Sequence, residues 1–221
     1  MHTITFALAK GRLAKKAMAL LEEVGITCKE METKSRKLLF ESEDLTYKFF
    51  LSKAQDVPTY VDYGTADIGI VGKDTIVEEN RNVYEVLDLN FGYCHMVVAG
   101  EPHKKDLLKS GKTIRVATKY PRIAKEYFEG QNRSVEIIKL NGSVELGPIV
   151  GLSDVIVDIV ESGATLRENG LIVLEEIMPL SARVIVNAAS MKIKYEEIYS
   201  LLENLKQVIE IRVKQNKDFI Q

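Results

Sequence analysis

The sequence has almost no cysteine. Cys28 and Cys94 are its only thiols in 221 residues, and neither has the spaced Cys and His partners of a zinc site. Buried, reduced thiols are expected, and a disulfide-stapled scaffold is excluded. Net charge is also scarce. Thirty basic residues face 32 acidic ones, with no strongly basic stretch, which excludes a nucleic-acid surface of the usual electrostatic kind. A local pocket can still be basic on a near-neutral chain. No run of about eighteen apolar residues occurs. The apolar opening 4–9 is too short for an export signal and is followed, not preceded, by Lys10 and Arg12. A cytoplasmic protein is therefore expected. There is no Gly-x-Gly-x-x-Gly after the first apolar run, no P-loop and no Gly-x-Ser-x-Gly elbow, which disfavours dinucleotide enzymes, P-loop ATPases and serine hydrolases. His2, His95 and His103 lack metal-ligand spacing.

What is present is alternation. Short β-branched runs at 3–8, 47–51, 67–71, 113–118, 135–140, 154–160 and 171–174 predict strands, and 94–99 and 184–186 add two more. Segments of helical period lie between them at 13–24, 57–63, 121–128 and 144–150. Each is followed by a glycine, Gly25, Gly64, Gly130 and Gly151, where a left-handed cap belongs. The pattern predicts an α/β fold with mainly parallel sheet. A last amphipathic helix over about 195–214 puts Ile198, Leu201, Leu202, Leu205, Val208 and Ile209 on one face, to cover its own domain or a partner.

The segment Asp154-Val-Ile-Val-Asp158-Ile-Val-Glu161-Ser162-Gly163-Ala164-Thr165-Leu166 is the most informative. It predicts a buried strand, a tight loop of small residues and a helix start. Such a loop lets a phosphate reach backbone N–H groups, and the Ser162 and Thr165 hydroxyls add hydrogen bonds. A turn followed by a helix cap would use similar residues. Two aspartates in an otherwise apolar strand tip the balance, because buried carboxylates require partners. Their even spacing puts Asp154 and Asp158 on one strand face, where they could accept ribose hydroxyls.

Other segments fit a phosphorylated ligand. Lys10-Gly11-Arg12 ends the first strand, where ligands bind in open α/β sheets. Ser35-Arg36-Lys37 is a basic turn. Lys53 precedes a helix that Asp56 is expected to cap, with Pro58 in its first turn. Asn141-Gly142-Ser143-Val144-Glu145 is again strand, turn and helix start, and could hold a second anionic or ribosyl group.

In their shared order, these segments resemble ATP phosphoribosyltransferase in its short form. The resemblance is carried by Ala-Leu-Ala-Lys-Gly-Arg-Leu, Ser-Arg-Lys-Leu, Asp-Val-Pro-Thr-Tyr-Val with Ala66-Asp-Ile-Gly-Ile-Val-Gly-Lys-Asp74, Arg115-Val-Ala-Thr-Lys-Tyr-Pro121, Lys139-Leu-Asn-Gly-Ser-Val-Glu145 and the loop from Asp158. It implies a two-lobed α/β fold of the type II periplasmic-binding-protein kind, with residues 1–90 plus 181–221 in one lobe, 91–180 in the other and the active site in the interlobe cleft. It implies transfer of phosphoribosyl from phosphoribosyl pyrophosphate to N1 of ATP, the first step of histidine biosynthesis, assisted by Mg²⁺. The phosphate loop would be Glu161, Ser162, Gly163, Ala164 and Thr165, with Asp154 and Asp158 near the ribose and Ser143 and Glu145 as further substrate contacts. Lys10, Gly11, Arg12 and Arg36 would meet nucleotide and pyrophosphate, and Arg36, Lys10 and Lys53 would neutralise the leaving group. The chain departs from the family in having Ala9 for a common Pro and Lys53 for a common Arg, which loses bidentate phosphate geometry. The short form further implies a histidyl-tRNA-synthetase-like regulatory subunit in a hetero-oligomer. Rival readings are a binding module on the same fold, a scaffolding subunit without chemistry, and a phosphoribosyltransferase with another acceptor base.

Overall fold

The structure is a computed structural model that describes residues 2–32 and 37–218. Among the described residues, the strands are β1 (Ile4–Ala9), β2 (Leu39–Glu41), β3 (Tyr47–Ser52), β4 (Ile68–Gly72), β5 (Val83–Asp88), β6 (Cys94–Gly100), β7 (Ile114–Thr118), β8 (Val135–Lys139), β9 (Val155–Val160), β10 (Ile172–Leu180) and β11 (Ala182–Asn187). The α-helices are α1 (Arg12–Glu23), α2 (Val57–Asp62), α3 (Lys73–Glu79), α4 (Pro121–Gly130), α5 (Leu146–Ile149), α6 (Ala164–Glu168), α7 (Ser190–Ile193) and α8 (Tyr195–Asp218). The class is α/β, and none of these helices is long and apolar enough to cross a membrane.

The chain divides into two compact units. One comprises the described residues up to Gly92 and from Ser181 onward, and the other is Tyr93–Leu180. The first holds a six-stranded sheet in the order β2-β3-β1-β4-β11-β5, and the second a five-stranded sheet in the order β10-β6-β9-β7-β8. Mainly parallel pairing was expected, but both sheets are mixed. β3, β1 and β4 run parallel, as do β9, β7 and β8. The other strands pair antiparallel. Parallel neighbours require a long crossover. β2 reaches β3 through only residues 42–46, too few for a crossover, so that pair is antiparallel; β10 and β11, joined by the single residue Ser181, lie in different sheets.

In the first unit, Phe6 of β1 stacks on Phe49 of β3 with ring centroids 5.2 Å apart. Ala14, Ala17, Leu20 and Leu21 of α1 bury against the same core. Ile198, Leu201, Leu205 and Ile209 of α8 join it, so the apolar stripe of the last helix covers its own unit. A polar clamp ties this returning segment to β1. Asp67, 5% exposed, accepts from the Thr5 N–H at 2.8 Å, the Ser190 hydroxyl at 2.6 Å and the Lys194 ammonium at 2.8 Å.

Three of the four expected glycine caps adopt left-handed backbone, Gly25, Gly64 and Gly151. Gly130 instead ends α4 as a helical residue, and Asn132 (φ 56°) takes the left-handed turn. Asp56 makes no side-chain cap hydrogen bond. A 3₁₀ turn over Ala54–Asp56 runs directly into α2, so Asp56 is already helical and Lys53 is the extended residue at the turn's start. Cys28 is buried with its thiol donating to Glu41 O at 3.3 Å, whereas Cys94 is only partly buried.

Candidate functional site

The carboxyl ends of the parallel strands form two polar corners, one in each unit. In the second unit, β9 leaves the sheet through Glu161 and Ser162 into Gly163, which caps α6 at φ 71°. That left-handed backbone suits glycine, and a Cβ there would stand 3.1 Å from Arg167 Nη1. The Arg167 guanidinium donates to Ser162 O at 3.0 Å and so holds the loop from below. No side chain caps α6, so its first-turn N–H groups are not occupied by a cap. The Ala164 N–H makes only a long 3.4 Å contact with Ser162 Oγ.

This loop walls a cavity of about 230 Å³ lined by Glu145, Asp158, Ile159, Val160 and the residues from Glu161 to Leu166. Its volume lies below the ~300 Å³ at which drug-sized pockets begin. The chemistry has two parts. Backbone N–H and hydroxyl groups along 162–165 are donors able to meet an anion, whereas the carboxylates of Asp158, Glu145 and Glu161 are acceptors able to meet hydroxyls. Asp158 sits on β9 opposite Val97 of β6.

Asp154 is not part of this arrangement. It lies four residues away, roughly 13 Å back along the strand at about 3.3 Å per residue. There it accepts from the Arg115 N–H at 3.0 Å, Arg115 Nε at 3.3 Å and Lys104 Nζ at 3.1 Å. Burial pushes its carboxyl up, but the Arg115 main-chain and side-chain donors and the Lys104 ammonium outweigh this and hold it at about 2. Asp154 is thus an ion-pair centre at the far end of the strand from the cavity, held by Arg115 and Lys104. Ser143 has left-handed backbone (φ 49°) on the loop that leads to Glu145, and is absent from the cavity lining.

In the first unit, β1 and β3 run parallel with Ala9 opposite Ser52. The Lys10 N–H donates to Ser52 O at 2.9 Å, so Lys10 and Lys53 leave neighbouring strands side by side. Both are exposed, and neither is ion-paired among the described residues. Gly11 follows at φ 104°, a conformation that a side chain would strain, and Arg12 opens α1. Lys73, just past the end of neighbouring β4, is already paired with Glu85 at 2.5 Å. Arg36 lies outside the described residues.

One group that the sequence reading passes over stands between the loops of the second unit. Thr118 is fully buried; its hydroxyl donates to Val157 O at 2.7 Å and accepts from the Tyr120 N–H at 2.8 Å. The available signal was a hydroxyl closing the apolar strand Ile114–Thr118.

Two α/β units, each built on a mixed sheet, make a two-lobed fold of the type II periplasmic-binding-protein kind. The fold alone is shared with a periplasmic aliphatic sulphonate-binding protein of Escherichia coli, at 13% identity and a TM-score of 0.59 over 99% of this chain and 72% of that one. Residues 53–207 match the family model described as ATP phosphoribosyltransferase. A Lachnoclostridium phytofermentans protein named ATP phosphoribosyltransferase is 64% identical over 211 residues, covering 95% of this chain and 98% of that relative. A Thermotoga maritima structure titled as the ATP phosphoribosyl transferase (HisG:HisZ) complex matches with a TM-score of 0.79 and 37% identity, over 94% of this chain and 99% of that one. The chain belongs to the ATP phosphoribosyltransferase family, whose enzymes are glycosyltransferases that open histidine biosynthesis.

Proposed function

We infer that this chain transfers the 5-phosphoribosyl group of phosphoribosyl pyrophosphate to N1 of ATP, giving phosphoribosyl-ATP and pyrophosphate. The observation that carries the reading is the 161–165 loop, bent at left-handed Gly163 beside Asp158, in a chain 64% identical to a named ATP phosphoribosyltransferase. The loop N–H groups with Ser162 and Thr165 hold the 5-phosphate. Asp158 takes the ribose hydroxyls, and Glu145 and Glu161 close the same cavity. Lys10 and Lys53, with Gly11 and Arg12 beside them and Arg36, receive the nucleotide phosphates and the departing pyrophosphate.

The N1 lone pair forms the new bond to the anomeric carbon while the bond to pyrophosphate breaks, and that pair of electrons leaves with the pyrophosphate. No enzyme nucleophile is needed. Positive charge develops on the ribose and negative charge on the leaving group, so positioning and fixed charges provide the catalysis. Lysine supplies point charge rather than a bidentate fork, which suits a leaving group held by several contacts.

The family uses a divalent metal, and Mg²⁺ fits this donor set as a passenger on the substrate. Among the described residues, no three His, Cys, Asp or Glu side chains gather to hold an ion. The pyrophosphate and water would be its principal ligands, with Asp158, Glu145 or Glu161 reached from the cradle side. It would neutralise pyrophosphate charge.

The Thermotoga maritima relative is described in a HisG:HisZ complex, which supports a histidyl-tRNA-synthetase-like regulatory subunit as this chain's partner. ATP and phosphoribosyl pyrophosphate as substrates support the cytoplasm as its place of work. The test is phosphoribosyl-ATP formation with Mg²⁺, with and without the cognate regulatory subunit. Product that requires both substrates is expected. Its absence in both conditions, with the partner bound, contradicts the reading.

A further inference from the structure

Two parallel strands of the second unit, β7 and β8, end at the level of Thr118, where β9 passes alongside, and Thr118 touches both neighbours. Its own strand β7 pairs with Lys139 of β8 on one side and Val157 of β9 on the other at this residue. Its carbonyl accepts from the Leu140 N–H at 2.9 Å, where β8 leaves toward the loop that carries Glu145. Its hydroxyl donates to Val157 O at 2.7 Å and accepts from the Tyr120 N–H at 2.8 Å, where β7 turns into α4. Beyond Val157, β9 continues to Val160 paired to β6 alone. The hydroxyl bond thus ties β7 to β9 at the residue just before Asp158.

We propose that Thr118 is a positioning residue for phosphoribosyl pyrophosphate: its buried hydroxyl sets the carboxyl end of β9 and thereby the placement of Asp158 and the phosphate loop. This rests on the function proposed above. A side-chain hydroxyl takes over where the β7–β9 ladder stops, so the strand can part from its neighbour without leaving Val157 O unpaired. Buried carbonyls and N–H groups need such partners. Without the hydroxyl, the Val157 carbonyl and the Tyr120 N–H must move to find water or one another. The groups displaced first are those one residue further along each chain, Asp158 among them. Thr118 touches no substrate in this account and acts through the main chain.

The test is a titration of phosphoribosyl pyrophosphate by calorimetry against the full chain and the series T118S, T118C and T118V, with ATP titrated in parallel. Serine keeps the donor and acceptor, cysteine keeps them weakly, and valine keeps only the shape. T118S should stay within about threefold of the parent, T118C should weaken several-fold and T118V at least about tenfold, in line with a lost buried hydrogen bond. ATP affinity should stay within about twofold across the series, because its contacts lie in the first unit. If T118V does not fold, T118C decides alone. Equal affinity for phosphoribosyl pyrophosphate across the series overturns the inference, as does parallel weakening of both ligands. If the parent chain itself fails to bind phosphoribosyl pyrophosphate, the proposed function is what fails.

Discussion

Replacing Asp154 by asparagine separates two roles that the sequence leaves merged, a ribose contact and a structural ion pair. The carboxyl is held at about 2 against an ordinary 3.8 by Arg115 and Lys104, and its side chain is 14% exposed. A pKa depressed on folding contributes stability that is complete above the unfolded value and fades as pH falls toward the folded one. The shift corresponds to about 2 kcal/mol at pH 7 and about half that at pH 3. D154N should therefore melt roughly 4–8 °C lower than the parent at pH 7, for a chain of this size. In urea at pH 3, the gap between the two proteins should shrink to about half. At pH 7 and permissive temperature, the KM for phosphoribosyl pyrophosphate should stay within about twofold, because the carboxylate stands at the far end of β9 from the cradle. A stability loss under about 0.5 kcal/mol, or a gap that does not narrow with acid, refutes the ion-pair assignment. A KM raised tenfold with stability intact would return Asp154 to the ribose.

Gly163→Ala should raise the KM for phosphoribosyl pyrophosphate about tenfold and cost about 1 kcal/mol in a denaturant melt, since it forces a Cβ into left-handed backbone. An unchanged KM would mean that the loop does not need its present shape. Asp67→Asn should destabilise the chain by about 3 kcal/mol, because the Lys194 ammonium, with its side chain 20% exposed, loses its buried counter-charge. A melt within 0.5 kcal/mol of the parent would show the clamp to be dispensable. Lys53→Ala should lower kcat at saturating substrates by roughly tenfold or more, with Lys53→Arg retaining most of the rate. Equal turnover in the alanine variant would remove Lys53 from the leaving-group site.

Much of the fold was legible because burial on both faces of a parallel strand leaves an apolar run that a sequence displays directly. The cradle was legible for a related reason. Asp158 interrupts such a run, and small residues follow it at a strand-to-helix turn. What was hidden depends on distant partners. Asp154 has the same local signature as Asp158, and only Arg115, 39 residues away, and Lys104, 50 residues away, distinguish them. β5 was missed because its residues are only half-buried or exposed at a sheet edge, which erases the apolar run. β10 extends past the expected 171–174 because Glu175 and Glu176 break its hydropathy while pairing with β6 carries the strand on. The mixed direction of both sheets follows from chain crossings that no local period records. Thr118 was overlooked because a threonine is an ordinary strand residue until its two hydrogen-bond partners are seen.

The most direct test of the central claim is steady-state kinetics of the Ser162→Ala, Thr165→Val double variant with both substrates varied, assayed as the complex with the regulatory subunit. Two hydrogen bonds to a charged phosphate are lost, so the KM for phosphoribosyl pyrophosphate should rise by roughly a hundredfold while that for ATP stays within about twofold. A rise in the KM for ATP with that for phosphoribosyl pyrophosphate unchanged would contradict the account, because the cradle in the second unit would then not be where the phosphoribosyl donor is held.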